Sequence, residues 1–282
     1  MTKMSQAVLI TGCSTGIGHA TALRLQRAGH KVYATARKPA TLADLRAAGC
    51  ETLALDVNDE HSMQVAVQAI EQREGAVGVL VNNAGYSQSG ALETVPLERV
   101  RAQFETNVFG LLRLCQLVLP GMRRQRSGRI VNVGSVAGKL TFPGGGAYHA
   151  AKHAVEALTD ALRFEVQGFG VDVVLIQPGF IRTSFADAAR REMAAAAPGD
   201  VYAAFNAAVE QATLDVYEKP PWSWFGGDAD DVARVIDRAL TARRPKTRYK
   251  VTPSARMLLA TRALTTDRLW DLFMRTNFPA PH

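Results

Sequence analysis

Apolar residues along this chain follow two rhythms. Short runs such as AVLI at 7–10, VGVLV at 77–81 and VDVVLI at 171–176 are nearly continuous in apolar character, and longer segments between them repeat at the helical period. A strand-length apolar run marks a strand covered on both faces, as in parallel sheets flanked by helices. The pattern predicts strands at 7–11, 31–35, 52–55, 77–81, 129–133, 171–176 and 248–251. It predicts helices at 16–28, 40–48, 60–73, 97–125, 147–168 and 230–242. This alternation implies an α/β fold, a doubly wound parallel sheet of about seven strands with helices on both faces.

The rhythm breaks at 183–227. That stretch begins Ala-rich and helical, holds a hinge-like Pro198-Gly199, and ends in the cluster KPPWSWFGG. Following directly on the sixth strand, it starts at the carboxyl edge of the sheet, where ligands of such folds bind. It reads as a substrate-lid insertion carrying Phe185, Tyr202, Phe205, Tyr217, Trp222, Trp224 and Phe225, with packing of these rings against the sheet edge as the other reading. Beyond it, 252–282 forms an amphipathic tail with Arg256, Arg262, Arg268 and Arg275 interleaved. It is expected to pack on the body, with a subunit contact or a membrane-surface element as the alternatives.

With 282 residues, 47% of them hydrophobic, the chain is long enough for one sizeable core, so 1–282 is expected to be a single domain. No apolar run approaches the roughly 18 to 20 residues that span a bilayer, and the expected location is cytoplasmic. Cys13, Cys50 and Cys115 form no CxxC pair and are expected to be reduced, buried thiols; no metal is expected. The net charge of +7 concentrates in 234–275, which holds eleven Arg or Lys against three Asp. No nucleic-acid motif accompanies it, so a solvated face is expected and nucleic acid is not.

The first strand runs into Thr11-Gly12-Cys13-Ser14-Thr15-Gly16-Ile17-Gly18 and then a helix. Glycines let the backbone turn sharply and approach a pyrophosphate, and the helix start offers N–H groups and the positive end of its dipole. An NAD site normally ends its second strand with an acidic residue. Here that position is Ala36, followed by Arg37, whose guanidinium can hold a 2′-phosphate through paired hydrogen bonds. The cofactor expected is NADP(H), with Ser14 adding a hydroxyl; Arg37 as an ordinary surface residue is the alternative.

Ser135 follows the fifth strand, Tyr148 lies thirteen positions later, and Lys152 one helical turn beyond. Tyr148 and Lys152 therefore share a helix face. A phenol of ordinary pKa about 10 shuttles protons poorly near neutrality, and a nearby ammonium together with oxidised nicotinamide favours its phenolate. Lys152 is thus expected to tune Tyr148, and Ser135 to hold the substrate oxygen.

This ordered set resembles the short-chain dehydrogenase/reductase family, from Val8 to Thr183 and more loosely to Tyr249. VYATAR and PKTRY resemble its branch of 17β-hydroxysteroid and retinol dehydrogenases. The resemblance implies a Rossmann-like fold and the catalytic set Asn107, Ser135, Tyr148 and Lys152, with Asn107 supporting a water chain from the lysine. A mid-helix Asn107 also fits a structural, helix-kinking role. The implied cofactor contacts are Gly12, Ser14, Gly16, Ile17 and Gly18 in the turn, Arg37, then Asp56 and Val57 at the adenine. Asn83, Ala84 and Gly85 of the NNAG segment, together with Asn82, line the cofactor and stabilise the sheet, with purely structural support as the alternative role for Asn82 and Asn83. Tyr148 and Lys152 also touch it, and Pro178, Gly179, Ile181 and Thr183 reach the nicotinamide carboxamide. The implied activity is hydride transfer between the nicotinamide and a ketone, aldehyde or secondary alcohol, with a bulky hydrophobic substrate. A homodimer or homotetramer is implied, paired through 97–125 and 147–168, where Phe104, Val108, Leu111, Leu112, Leu158 and Leu162 add apolar surface. Two rivals stand beside this reading. One is a cofactor-sensing or scaffold protein on the same fold; the other is a binder of anionic polymer or membrane surface using the basic tail.

Overall fold

A computed structural model of the chain describes residues 5–183, 201–220 and 222–278. The strands of the main sheet are β1 Val8–Ile10, β2 Val32–Ala36, β3 Glu51–Ala54, β4 Val79–Asn82, β5 Gly128–Val133, β6 Val171–Gln177 and β9 Arg248–Lys250. They pair in the order β3-β2-β1-β4-β5-β6-β9, every neighbour parallel. The chain works outward from β1 to β3, then crosses back to β4 and works outward the other way. Between β1 and β4 the connections diverge, and the carboxyl ends of those two strands leave a crevice.

Helices α1 Gly16–Arg27, α2 Ala43–Ala47, α3 Glu60–Glu74, α5 Gly110–Gln125 and α6 Gly146–Val166 alternate with the strands. Strand side chains alternate between the sheet's two faces. Leu9, Leu80, Ile130 and Leu175 join Ile70, Leu114 and Val155 of α3, α5 and α6 in one core layer. On the other face, Val8, Ile10, Val131 and Ile176 pack with Leu25 of α1, Leu45 of α2 and Ile236 of a helix that follows the insertion. Cys13, Cys50 and Cys115 are all buried free thiols, and burial pushes Cys13 and Cys115 up to about 12.

The expected single helix at 97–125 is interrupted. α4 Leu97–Phe104 ends in one π turn, Glu105–Phe109, before α5 begins. A π turn inserts one extra residue into a helix and re-aims the side chains on it, and it buries Asn107 and Val108. Val108 and Leu111, expected to be spare apolar surface, are used in the chain's own packing; the large apolar residues exposed on these helices are Leu97, Phe109 and Phe164.

The insertion is closed at its base by a two-stranded parallel ribbon absent from the sequence reading, β7 Ile181–Arg182 with β8 Gly227–Asp228. Two-residue strands carry too little periodicity to be read from a sequence. The first half of the expected lid, with Phe185, Pro198 and Gly199, lies outside the described residues. Its second half holds α7 Ala203–Glu218. After β8 comes α8 Ala229–Thr241, started by a capping box between Asp228 and Asp231 and packed on α1 with Arg24 Nη2 2.9 Å from Asp230 Oδ2. The tail forms α9 Pro253–Leu264 and α10 Asp267–Asn277. Ala255, Leu258, Leu259, Trp270 and Met274 pack with Val136 and Leu140, so one face of the tail packs on the body as expected.

Candidate active site

A cleft of about 1090 Å³ opens along the carboxyl ends of the strands. Its first half is built by the turn after β1. Gly12 and Gly16 adopt positive φ of 70° and 60°, which glycine reaches without steric cost. A Cβ on Gly12 would lie 2.9 Å from Ala84 Cα, so the turn and the loop after β4 are in backbone contact. Asn83 braces that contact, its Nδ2 donating to Thr11 O at 2.9 Å and to Gly12 O at 3.1 Å. Ser14, Gly16 and Ile17 line the cleft at the start of α1, a helix with no acidic residue in its first turn.

Gly18 is placed differently from its expected role. It is buried behind the turn, where a Cβ would meet Asn83 Nδ2 at 2.5 Å; it lets α1 close onto the turn and does not line the cleft. Asn82 is likewise a sheet brace and not a lining residue. Its Nδ2 donates to Asn132 Oδ1 at 3.0 Å and to Cys115 Sγ at 3.3 Å. Arg37, Asp56, Val57, Ala84, Gly85, Pro178, Gly179, Ile181 and Thr183 all border the cleft as expected, with Arg37 exposed after β2.

Ser135, Tyr148 and Lys152 converge on the cleft floor. Ser135 leaves β5 in extended backbone, its hydroxyl accepting from Ala137 N at 3.1 Å and hydrogen-bonded to Tyr148. Lys152, one turn after Tyr148 on α6, is buried and donates from Nζ to Val133 O at 2.9 Å. The ammonium sits 5.8 Å from the Tyr148 ring centroid. Among the chain's own groups, burial shifts both residues. Burial raises the Tyr148 phenol, the Ser135 hydrogen bond pulls it back only partly, and nearby Tyr217 raises it further. Burial also brings Lys152 down to about 8, because both charged forms lose solvation.

Asn107 does not border the cleft. Its Nδ2 donates to Tyr86 O at 2.8 Å and its Oδ1 accepts from Tyr86 N at 3.1 Å. With a Cβ on Gly85 it would collide at 2.6 Å, so it fixes the loop after β4 from behind.

The second half of the cleft was largely unread in the sequence. Its walls are Phe142 from the loop after Ser135, Val209, Val216 and Tyr217 of α7, and Leu258, Phe273 and Phe278 from the tail. Tyr217 had been singled out within the insertion, and its ring stands edge-on to Phe180 at 6.1 Å. Trp224 is not a wall residue: it is 72% exposed, outside the cleft. The loop at 137–142 is held by His149, whose Nδ1 lies 2.8 Å from Leu140 O and whose Nε2 accepts from Phe142 N at 3.4 Å. No periodicity announces such a brace; only the next-door position to Tyr148 could have drawn attention to it.

The cradle fits a dinucleotide on its own geometry. Two glycines at positive φ and a helix start free of acidic side chains, at the edge of a cleft of about 1090 Å³, leave space where side chains would otherwise stand. Comparison with known proteins agrees. Residues 6–194 match the family described as short chain dehydrogenase. The chain is 43% identical over 183 residues to a 3-ketodihydrosphingosine reductase of Bacteroides thetaiotaomicron, covering 64% of this chain and 66% of that one. It is 34% identical over 275 residues to an NADPH-dependent 3-dehydrocapnine reductase of Ornithobacterium rhinotracheale, covering 93% and 94%. A solved short-chain dehydrogenase/reductase from Burkholderia phymatum in complex with NAD is 29% identical and superposes with a TM-score of 0.77, covering 100% of this chain and 98% of that one. With the sheet order, the glycine turn and the Ser-Tyr-Lys floor all in place, this chain belongs to the short-chain dehydrogenase/reductase family of oxidoreductases.

Proposed function

We propose that this chain is an NADP(H)-dependent reductase of bulky, apolar ketones, acting in reverse on the corresponding secondary alcohols. The observation that carries the reading is the floor of the cleft: a Tyr148 hydroxyl bonded to Ser135, with Lys152 one turn away, beside a glycine cradle in the same cavity. When bound, the reduced dinucleotide supplies the hydride. Gly12, Ser14, Gly16 and Ile17 would hold its pyrophosphate, Asp56 and Val57 its adenine, and Asn83, Ala84 and Gly85 its inner face. Pro178, Gly179, Ile181 and Thr183 would hold the carboxamide, and Lys152 the adjoining ribose.

Tyr148 then gives its hydroxyl proton to the substrate oxygen as the carbonyl carbon is reduced. A phenol of ordinary pKa about 10 already carries its proton in the neutral range, the protonation state a general acid needs. Ser135 donates a hydrogen bond to the same oxygen and stabilises the developing alkoxide. Asn107 acts as a positioning residue through the Tyr86 backbone. Phe142, Val209, Val216, Leu258, Phe273 and Phe278 exclude water and favour apolar substrates. α7 is the described part of the lid, hinged at the β7–β8 ribbon.

Arg37 supports NADP(H), since Ala36 leaves no carboxylate to repel a 2′-phosphate. The names of two relatives support reduction, one of them with NADPH, while a solved relative holds NAD. Phe109 in the π turn and Phe164 on α6 support self-association through 97–125 and 147–168, in a cytoplasmic homodimer or homotetramer.

The test is NADPH oxidation with a series of ketones of rising alkyl length. Wild type should gain kcat/KM with length. Tyr148→Phe should lose about 100-fold or more in turnover while still binding NADPH, and Arg37→Asp should erase a preference for NADPH over NADH of about tenfold. Retained turnover in Tyr148→Phe, or no rise with chain length, rejects the reading.

A further inference from the structure

The C-terminal helices pack with one face and leave an apolar second face uncovered. On α9, Met257 and Leu264 lie seven residues apart on one outward stripe, Leu264 being 87% exposed. On α10, Leu269, Leu272 and Phe273 form a stripe at i, i+3 and i+4, with Leu272 59% exposed. Arg256, Arg268 and Arg275 are exposed along the flanks. Ser254 N donates to Phe225 O at 3.0 Å, which brings the exposed residues Trp224 and Phe225 to the start of α9. Single exposed leucines are ordinary; apolar stripes on two successive helices beside exposed aromatic rings are not.

The flanking chemistry identifies the occupant. Residues 253–278 hold four arginines against two aspartates; among the described residues, Arg262 and Asp267 pair at 2.6 Å and no other ion pair involves them. Apolar stripes edged by guanidinium groups suit the boundary between headgroups and acyl chains of an anionic bilayer, where rings and alkyl groups enter the lipid and arginines meet phosphate. The same surface reaches the cleft at Phe273 of α10, which is both exposed on the stripe and a wall residue. An amphiphile would pass from such a surface to the cleft without crossing water.

We infer that the α9–α10 pair seats this protein on an anionic lipid surface, with the substrate half of the cleft facing the lipid. The choice of lipid as the source of substrate rests on the proposed apolar specificity; the docking itself does not. The full chain with NADPH is sedimented with vesicles of phosphatidylcholine, alone or with about one third phosphatidylglycerol. Wild type should pellet with the anionic vesicles, with about tenfold weaker partition on the neutral ones or at roughly 0.5 M salt. The double variant Leu269→Gln/Leu272→Gln should stay in the supernatant while keeping the wild-type melting temperature and its activity on a short, water-soluble ketone. Arg268→Glu/Arg275→Glu should weaken partition at least about tenfold. Wild type absent from the anionic pellet, or both variants pelleting like wild type, overturns the inference. So does a leucine variant whose only change is loss of a dimer in light scattering. Vesicle binding without ketone reduction would reject the catalytic reading and leave the docking intact.

Discussion

Tyr148 and Lys152 stand one helical turn apart, and burial acts on them in opposite senses. The phenol holds its proton more tightly, whereas the ammonium is brought down to about 8. A lysine whose folded pKa lies below its unfolded value makes the unfolded state bind more protons between the two, so its contribution to stability rises with pH through that window. Below about 8 the buried charge costs the fold in full, and the cost fades toward 10.5, the ordinary lysine value. Lys152→Met should therefore be more stable than wild type at neutral pH, by on the order of 1 to 3 kcal/mol. That gap should shrink steadily between pH 8 and 10. Cys13, Cys115 and Tyr148 have raised values and titrate in the opposite sense, but they are common to both proteins and cancel in the difference. Urea unfolding of the two proteins across this range is the measurement, and a gap independent of pH would contradict it.

Among the elements, α7 is anchored through contacts that can be named one by one. Its buried Asn206 accepts from Ala91 N at 3.1 Å, and Val209 packs against Gly144, where a Cβ would come within 2.5 Å of it. Gly144 has φ of 76°, so the turn needs glycine for its backbone as well as for this contact. Asn206→Ala would leave the buried Ala91 N–H without its acceptor, a cost of about 1 to 3 kcal/mol. The expected outcome is faster amide exchange over 203–218, unchanged exchange in the central strands, and a higher KM with kcat largely kept. Equal exchange over 203–218 would show that α7 is held by something else. The π turn between α4 and α5 belongs to the same scale: the hydrophobic period predicted one helix, and the added residue that buries Asn107 is a local departure that a period cannot register.

For the whole molecule, the two core layers are complete within one chain, yet Phe109 in the π turn before α5 and Phe164 on α6 remain exposed, Phe164 at 68%. Covering a Phe contributes about 1.5 to 3 kcal/mol, and symmetric pairing covers each exposed ring twice. Light scattering at micromolar concentration should report a dimer or tetramer, and Phe164→Glu should move it toward monomer with little change in melting temperature. A wild-type monomer would reject this face as an interface. This face lies on the π turn and α6, separate in sequence from the α9–α10 surface, so the two associations can be lost independently.

Much of the fold was legible before any coordinates. The seven long strands and the helices between them follow from apolar period, which is local: each run states which of its faces must be covered. The glycine turn and the Ser135-Tyr148-Lys152 floor were legible for a related reason, since backbone conformation at Gly12 and Gly16 and the one-turn spacing on α6 are properties of neighbouring residues. Tertiary structure alone decided the rest. The packing of Gly18 and the structural alternative taken by Asn82 depend on segments some 65 and 50 positions away, Asn83 and Asn132. The upward shift at Tyr148 comes from burial, opposed by the Ser135 hydrogen bond and reinforced by Tyr217, none of which is encoded in YxxxK spacing. The substrate walls came from α7 and from the tail, more than 100 residues beyond Tyr148 in the case of Leu258, Phe273 and Phe278. Sequence patterns report what each segment must hide, whereas a pocket is made by what distant segments leave between them, and that is settled only when the chain has closed.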